Sequence, residues 1–153
     1  MMFGRKFSLR VYVIILGGSS LDHVFVSREG LVKLAVQRYS EGSSSAAAPA
    51  HTTNSGWGRS FRAKRPQEDL SDEGIEDLSL EDLEAYFKER GWSYSYLWQH
   101  IREAVAVSMK ALKPKWGRVG DLSTDRLKRI RTPKILGFDF LIDNNRRPWL
   151  IEV

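Results

Sequence analysis

The feature that most constrains this chain is the stretch from Lys6 to Leu16. Every odd position in it from 7 to 15 is apolar: Phe7, Leu9, Val11, Val13 and Ile15. Side chains alternate with a period of two along a strand, so these residues share one face of a sheet and must be buried. Lys6, Ser8, Arg10 and Tyr12 then share the opposite face. The β-branched and aromatic content of the stretch agrees with a strand. Gly17-Gly18-Ser19-Ser20 is a turn signal, and Asp22 to Arg28 reads as the returning strand of a hairpin. A second hairpin is expected at the other end, with Lys134–Asp143 and Pro148–Val153 flanking Asn144-Asn145-Arg146-Arg147.

Between the hairpins lie helices. Ser79 is placed to cap the first, with Glu81 and Asp82 in its opening turn, where a helix favours negative charge. Leu80, Leu83 and Phe87 fall on one face before Gly91 ends it. Ser95 to Lys113 is a longer helix with Leu97, Ile101, Val105 and Met109 spaced for burial, and Pro114 is expected to stop it. Residues 40–50, rich in Ser and Ala, read as a flexible low-complexity loop, and 54–66 as an irregular basic loop. The fold class is α+β: two antiparallel hairpins bracketing helices, within one unit spanning 1–153.

A hydrophobic fraction of 42% with 28% charged residues is that of a globular chain, not a disordered one. The apolar run Val11–Leu16 is too short to span a bilayer, and the absence of cysteine excludes disulfides and thiolate chemistry. These features favour a cytosolic protein. A net charge of +5 suits a polyanionic partner, whether nucleotide, nucleic acid or acidic protein. The Lys and Arg residues are dispersed and no nucleic-acid reader motif accompanies them, which disfavours nucleic acid. The apolar strand ending at Val153, with no turn behind it, reads as cut within a fold.

The two hairpins raise opposite electrostatic questions. Folding the first about Ser19 sets Arg28 across from Arg10 and Val26 across from Tyr12, so that Lys6, Arg10 and Arg28 gather on one face. Like charges opposite each other destabilise a strand pair, and a phosphate between them would remove the conflict. A symmetric loop in the second hairpin pairs Asp143 with Pro148, Leu141 with Leu150, and Asp139 with Glu152. Phe138, Phe140, Ile142, Trp149 and Ile151 form its apolar face. Two carboxylates meeting in an apolar sheet drive one of them toward protonation unless a cation such as Mg²⁺ bridges them. The alternative in both cases is a solvated, uncovered sheet face. Taken together, the cationic face and the dicarboxylate face describe a site for a metal-bound nucleotide.

The same residues carry a family resemblance. Gly4-Arg5-Lys6-Phe7-Ser8-Leu9-Arg10, Arg28-Glu29-Gly30, His51-Thr52-Thr53-Asn54, Leu136-Gly137-Phe138-Asp139-Phe140 and Pro148-Trp149-Leu150-Ile151-Glu152-Val153 resemble, in order, the motifs of tubulin tyrosine ligase-like proteins. Thr52 stands where that family has leucine, and Ser8 where it usually has aspartate. The resemblance implies the C-terminal part of an ATP-grasp domain, using ATP and Mg²⁺ to join an amino acid (glutamate, glycine or tyrosine) to a protein carboxylate through an acyl phosphate. It implies that Lys6 holds the nucleotide, and that Arg10 and Arg28 act on the terminal phosphate and the acyl phosphate. Asp139 and Glu152 would ligate Mg²⁺, and Asn54 and His51 would border the phosphate. The implied partner is the acidic tail of tubulin or of another protein, in the cytoplasm at the cytoskeleton or cilium, with neither nucleic acid nor membrane involved. The N-terminal part of such a module lies outside the resemblance, so the chain alone is not expected to catalyse. The competing reading is a non-catalytic remnant that binds tubulin or another acidic protein through its basic surface.

Overall fold

The computed structural model describes residues 1–16, 23–35, 38, 39, 77–120 and 133–153, with backbone alone at 77 and 116–120. The elements, in order, are β1 (Phe7–Leu16), β2 (His23–Leu34), β3 (Asp77–Ser79), α1 (Leu80–Glu89), α2 (Tyr94–Gly120), β4 (Lys134–Ile142) and β5 (Pro148–Glu152). The described strands form one antiparallel sheet in the order β3-β2-β1-β4-β5. The class is α+β, as expected, but the two hairpins are not separate. β1 pairs with β4 and fuses them, so β1 is the central strand. The expected loops at 40–50 and 54–66 lie outside the described residues.

The alternation in β1 sorts its residues as anticipated. Phe7, Leu9, Val11, Val13 and Ile15 are all buried, joined by Val32, Phe138 and Phe140 from the neighbouring strands. Both helices cover this face, bringing Leu80, Leu83, Tyr86 and Phe87 from α1 and Leu97, Ile101, Val105 and Met109 from α2 into one apolar cluster. Each such side chain contributes roughly 1.5–3 kcal/mol on burial, so this face supplies most of the driving force for folding. The opposite face leaves Phe25, Ile135, Leu141 and Trp149 exposed.

α1 starts at a reciprocal capping box. Asp82 N donates to Ser79 Oγ at 3.1 Å, and Ser79 N donates to Asp82 Oδ2 at 2.8 Å. Its end is set by Gly91, whose φ of +66° lets the Trp92 and Gly91 amides turn back onto the Phe87 and Lys88 carbonyls at 2.9 and 3.0 Å. Contrary to expectation, α2 does not stop at Pro114 but continues to Gly120. Proline removes only its own amide bond, and its fixed φ is already helical, so the residues after it can propagate the helix.

Both hairpin registers differ from a simple fold-back. In the first, Val13 pairs with Val26 but Val11 pairs with Gly30, so β2 carries extra residues opposite Tyr12. Past this irregularity the strand continues to Leu34, six residues beyond its expected end at Arg28. Arg10 therefore faces Leu31, not Arg28. In the second hairpin Ile142 pairs with Pro148, Leu141 with Trp149 and Phe140 with Leu150, and an irregularity then restores Asp139 to Glu152. Trp149 thus shares the exposed face with Leu141 instead of joining Phe138 and Phe140, and Ile151 is exposed as well. Leu150 and Ile142 take the core side and pack against it.

Candidate functional site

The uncovered face of the sheet is organised around Asp139 at the middle of β4. Because β1 pairs with β4, Asp139 lies directly opposite Arg10. The guanidinium engages the carboxylate with two donors: Nε donates to Oδ1, and NH2 donates to Oδ2 at 2.7 Å. Lys33, from the unforeseen extension of β2, donates to the same two oxygens at 3.3 and 3.1 Å. A carboxylate offers about four lone-pair positions, and here all of them are engaged. Asp139 is nearly buried, with 9% of its side chain exposed, while Arg10 keeps a third of its own in solvent.

Glycine makes room for this arrangement. A Cβ at Gly137 would stand 2.8 Å from both Cδ and NH1 of Arg10, so a side chain there would push the arginine off the sheet. At Gly30 a Cβ would meet the Arg10 carbonyl at 2.5 Å and Leu80 at 2.9 Å, so that glycine lets β2 and α1 close on β1. These are the glycines of the Leu136-Gly137-Phe138-Asp139 and Arg28-Glu29-Gly30 motifs, and each has a packing reason to be glycine.

The conflict expected of a carboxylate in an apolar sheet is relieved by the protein's own cations. Burial pushes the Asp139 carboxyl up, but hydrogen bonds from Arg10 and Lys33 outweigh it and hold the group below the ordinary carboxylate range. Asp139 is therefore ionised, not driven toward protonation, because the protein supplies its own cations. Arg10 is raised in turn, chiefly by its hydrogen bonds to Asp139, with a smaller favourable field from Glu152. That field places the exposed Glu152 carboxylate beside the same cluster.

The other predicted residues are placed differently. Arg28 is exposed and falls in the irregularity between Val26 and Gly30, and Arg10 faces Leu31, so Arg28 is not set across from Arg10. The Lys6 ammonium lies 4.9 Å from the centre of the Tyr39 ring. His51 and Asn54 lie outside the described residues. Ser8 is buried on the uncovered face, paired with Lys33 on one side and Leu141 on the other. Lys33 was missed because the returning strand was ended at Arg28. The signal was present: Leu31, Val32 and Leu34 continue the strand-like composition beyond Gly30.

Two carboxylates and two cations thus meet on one open face, carried by motifs that follow in order along the chain. A model of the tubulin-tyrosine ligase family matches residues 1–153. The chain belongs to that family. It is 29% identical to the human probable tubulin polyglutamylase TTLL2, all of this chain aligning with 24% of that protein. It is also 29% identical to the Caenorhabditis elegans tubulin polyglutamylase ttll-5, over 97% of this chain and 20% of the relative. With the mouse tubulin monoglutamylase TTLL4 it shares 26% identity, over 98% of this chain and 12% of the relative. The chain thus spans a quarter or less of the length of these relatives. The fused sheet and its Arg10–Asp139–Lys33 cluster are thus carried by a chain of this family.

Proposed function

We propose that this chain forms part of the catalytic centre of an ATP-dependent ligase, of ATP-grasp type, that attaches an amino acid to a carboxylate in the acidic tail of tubulin. The names of its relatives, poly- and monoglutamylases, favour glutamate as the amino acid added. The observation that carries the reading is the Arg10–Asp139–Lys33 cluster on an uncovered sheet face, with the Glu152 field beside it. Such a face can accept a nucleotide without unfolding anything.

The residues present fit a hard divalent ion. Mg²⁺ is commonly held by one or two carboxylates and keeps several waters, and Asp139 and Glu152 offer two carboxylates from paired strands. Because the Asp139 lone pairs are all engaged, ligation requires Lys33 to release one or both oxygens. When bound, the ion would neutralise charge on the transferring phosphoryl group. The chain's own part is to hold Asp139 ionised and to aim Arg10 and the released Lys33 at the phosphoryl oxygens. Charge builds there as the substrate carboxylate takes the γ-phosphoryl group of ATP to form an acyl phosphate and ADP leaves. An amine then displaces phosphate to give the amide. Lys6 would hold the nucleotide, and His51 and Asn54 would border the phosphate. Arg28, not set across from Arg10, would act on the phosphoryl group only from a separate position on β2.

The test is Mg²⁺-dependent ATP binding by the intact protein. Asp139→Asn or Glu152→Gln is expected to weaken it at least tenfold, whereas equal binding by the parent and the double variant would end the metal assignment. The second reading, an acidic-protein binder without catalysis, draws on the net charge of +5. It predicts tubulin binding that survives both substitutions and falls with added salt.

A further inference from the structure

The two helices do not cover their side of the sheet evenly. α1 closes on β2 at Gly30, where an added Cβ would meet Leu80 at 2.9 Å. α2 lays Ile101, Val105 and Met109 into the core together with Val13 and Ile15 of β1. The first part of β2 is covered less completely. Val24 and Val26, paired with Ile15 and Val13, pack against that core yet stay half-buried. Between them and the flank of α2 runs a trough of about 640 Å³. Clefts that take small molecules span roughly 300–1,000 Å³, and no residue of the candidate site lines this one.

The walls of the trough differ in chemistry. Its floor is aliphatic, built from Val24 and Val26 of β2 with Val105 and Met109 of α2. Among the described residues no aromatic ring lines it, so there is no platform on which a base could stack. Charge is confined to the helix wall. Steps of three and four place Arg102, Ala106, Lys110 and Lys113 down one flank of α2. At 1.5 Å of rise per residue, the stripe from Arg102 to Lys113 is about 16 Å long. Glu103, the one carboxylate among the described lining residues, accepts from Gln99 at 2.9 Å and is outnumbered by three cations. Arg102 and Lys110 have no ion-pair partner among the described residues.

From this geometry we infer that the trough binds a long-chain carboxylate, a free fatty acid taken up as the monomer. Its tail lies over Val24, Val26 and Met109, and its carboxylate sits among the cations of the α2 wall. A ligand for this trough must be apolar where it meets β2 and anionic where it meets α2. A linear aliphatic tail asks no hydrogen bonds of aliphatic walls, whereas a sugar or a peptide would leave polar groups without partners there. Met109, unbranched and adaptable, suits a tail of variable shape. A guanidinium such as that of Arg102 can hold a carboxylate through two parallel N–H donors. The trough lies on the opposite side of the sheet from the candidate site, and the inference does not rest on the ligase reading.

The test is isothermal titration calorimetry of the chain with sodium dodecanoate, kept below the concentration at which it forms micelles. Saturable one-to-one binding is expected. Acetate, which has the head without the tail, and dodecyltrimethylammonium, which has the tail with the opposite charge, are expected not to bind. Arg102→Glu with Lys110→Glu should weaken dodecanoate binding at least tenfold. Ala106→Trp, at an exposed helical position, should fill the trough and weaken binding by a similar factor while the protein melts as the parent does. The inference is overturned by an absence of saturable binding, by parent-like affinity in both variants, or by dodecyltrimethylammonium binding as tightly as dodecanoate. Capture by anionic phospholipid vesicles without uptake of the dodecanoate monomer would overturn it as well, by assigning the cations to a membrane surface.

Discussion

The two faces of β1 are built from one stretch of chain and obey different physics. On the helix side Leu9, Val11, Val13 and Ile15 are fully buried and packed against α1 and α2. On the other side Arg10 reaches across to Asp139, and flanking apolar residues such as Phe25 and Ile135 stay in solvent. The first face is held by non-directional burial of many side chains, each of which can be trimmed at a graded cost. The second is held by one directional knot in which every donor has a specific acceptor. Removing Asp139, the acceptor that both cations share, leaves Arg10 and Lys33 without it. A face stabilised in this way can exchange one cation for another without disturbing the core beneath it, as a ligand site requires.

The comparison can be broken most forcefully from the core side. Phe140→Ala, at the centre of the buried cluster, is expected to cost about 4 kcal/mol of unfolding free energy in urea titration. A loss under about 1 kcal/mol would mean that the helix-covered face does not dominate. Next comes Asp139→Asn, expected to cost roughly 3 kcal/mol by leaving Arg10 and Lys33 uncompensated. The same residue fixes the acid limb. Its folded pKa lies below its unfolded value, so its stabilisation is present above the unfolded pKa, about 4, and is lost as pH falls through the folded value. Melting temperature should therefore decline below about pH 4 in the parent and decline less in Asp139→Asn. Equal acid limbs would show that the knot contributes no net stability.

Smaller effects sharpen the contrast. Ser79→Ala removes the capping box at the start of α1 and should cost about 1 kcal/mol, read from the shift in urea midpoint. Ile135→Thr, on the uncovered face where 65% of the residue is exposed, should change stability by no more than about 0.5 kcal/mol. A loss of core size at Ile135 would show that the uncovered face buries its apolar residues against something, and the division between the two faces would fail.

Much of the fold was legible because its signals are local. The face assignment of β1 follows from alternation within nine residues, Phe7 to Ile15. The start of α1 follows from Ser79 and Asp82, and its end from Gly91. The burial of Leu97, Ile101, Val105 and Met109 follows from their helical spacing. Failures of the reading arose where a local rule was pushed past its reach. Pro114 was read as a stop although proline tolerates helix on its C-terminal side. Trp149 was assigned to the core because an unbroken alternation was carried from Glu152 through a one-residue irregularity.

The candidate site was half legible for the same reason. Arg10, Asp139 and Glu152 were singled out as chemistry-bearing residues, and the pairing of Asp139 with Glu152 is present. Centring the turn on Ser19, however, set Val26 against Tyr12 and Arg28 against Arg10, one residue off the observed pairing of Val26 with Val13. A one-residue slip moves side chains to the other face. Lys33 went unnoticed because the strand was ended short of its continuation past the further two-residue irregularity. Sequence by itself determined which side of β1 and of both helices is apolar, where α1 begins and ends, and which residues carry charge into the sheet. Only the tertiary structure decided that β1 pairs with β4, more than a hundred residues away, as the Arg10–Asp139 separation of 129 shows. That pairing turns a cationic face and an acidic one into a single neutralised knot. The physical reason is that periodicity and caps are written in neighbouring residues. Strand partners and bulges are instead settled by the summed packing of segments that meet only when the whole sheet closes.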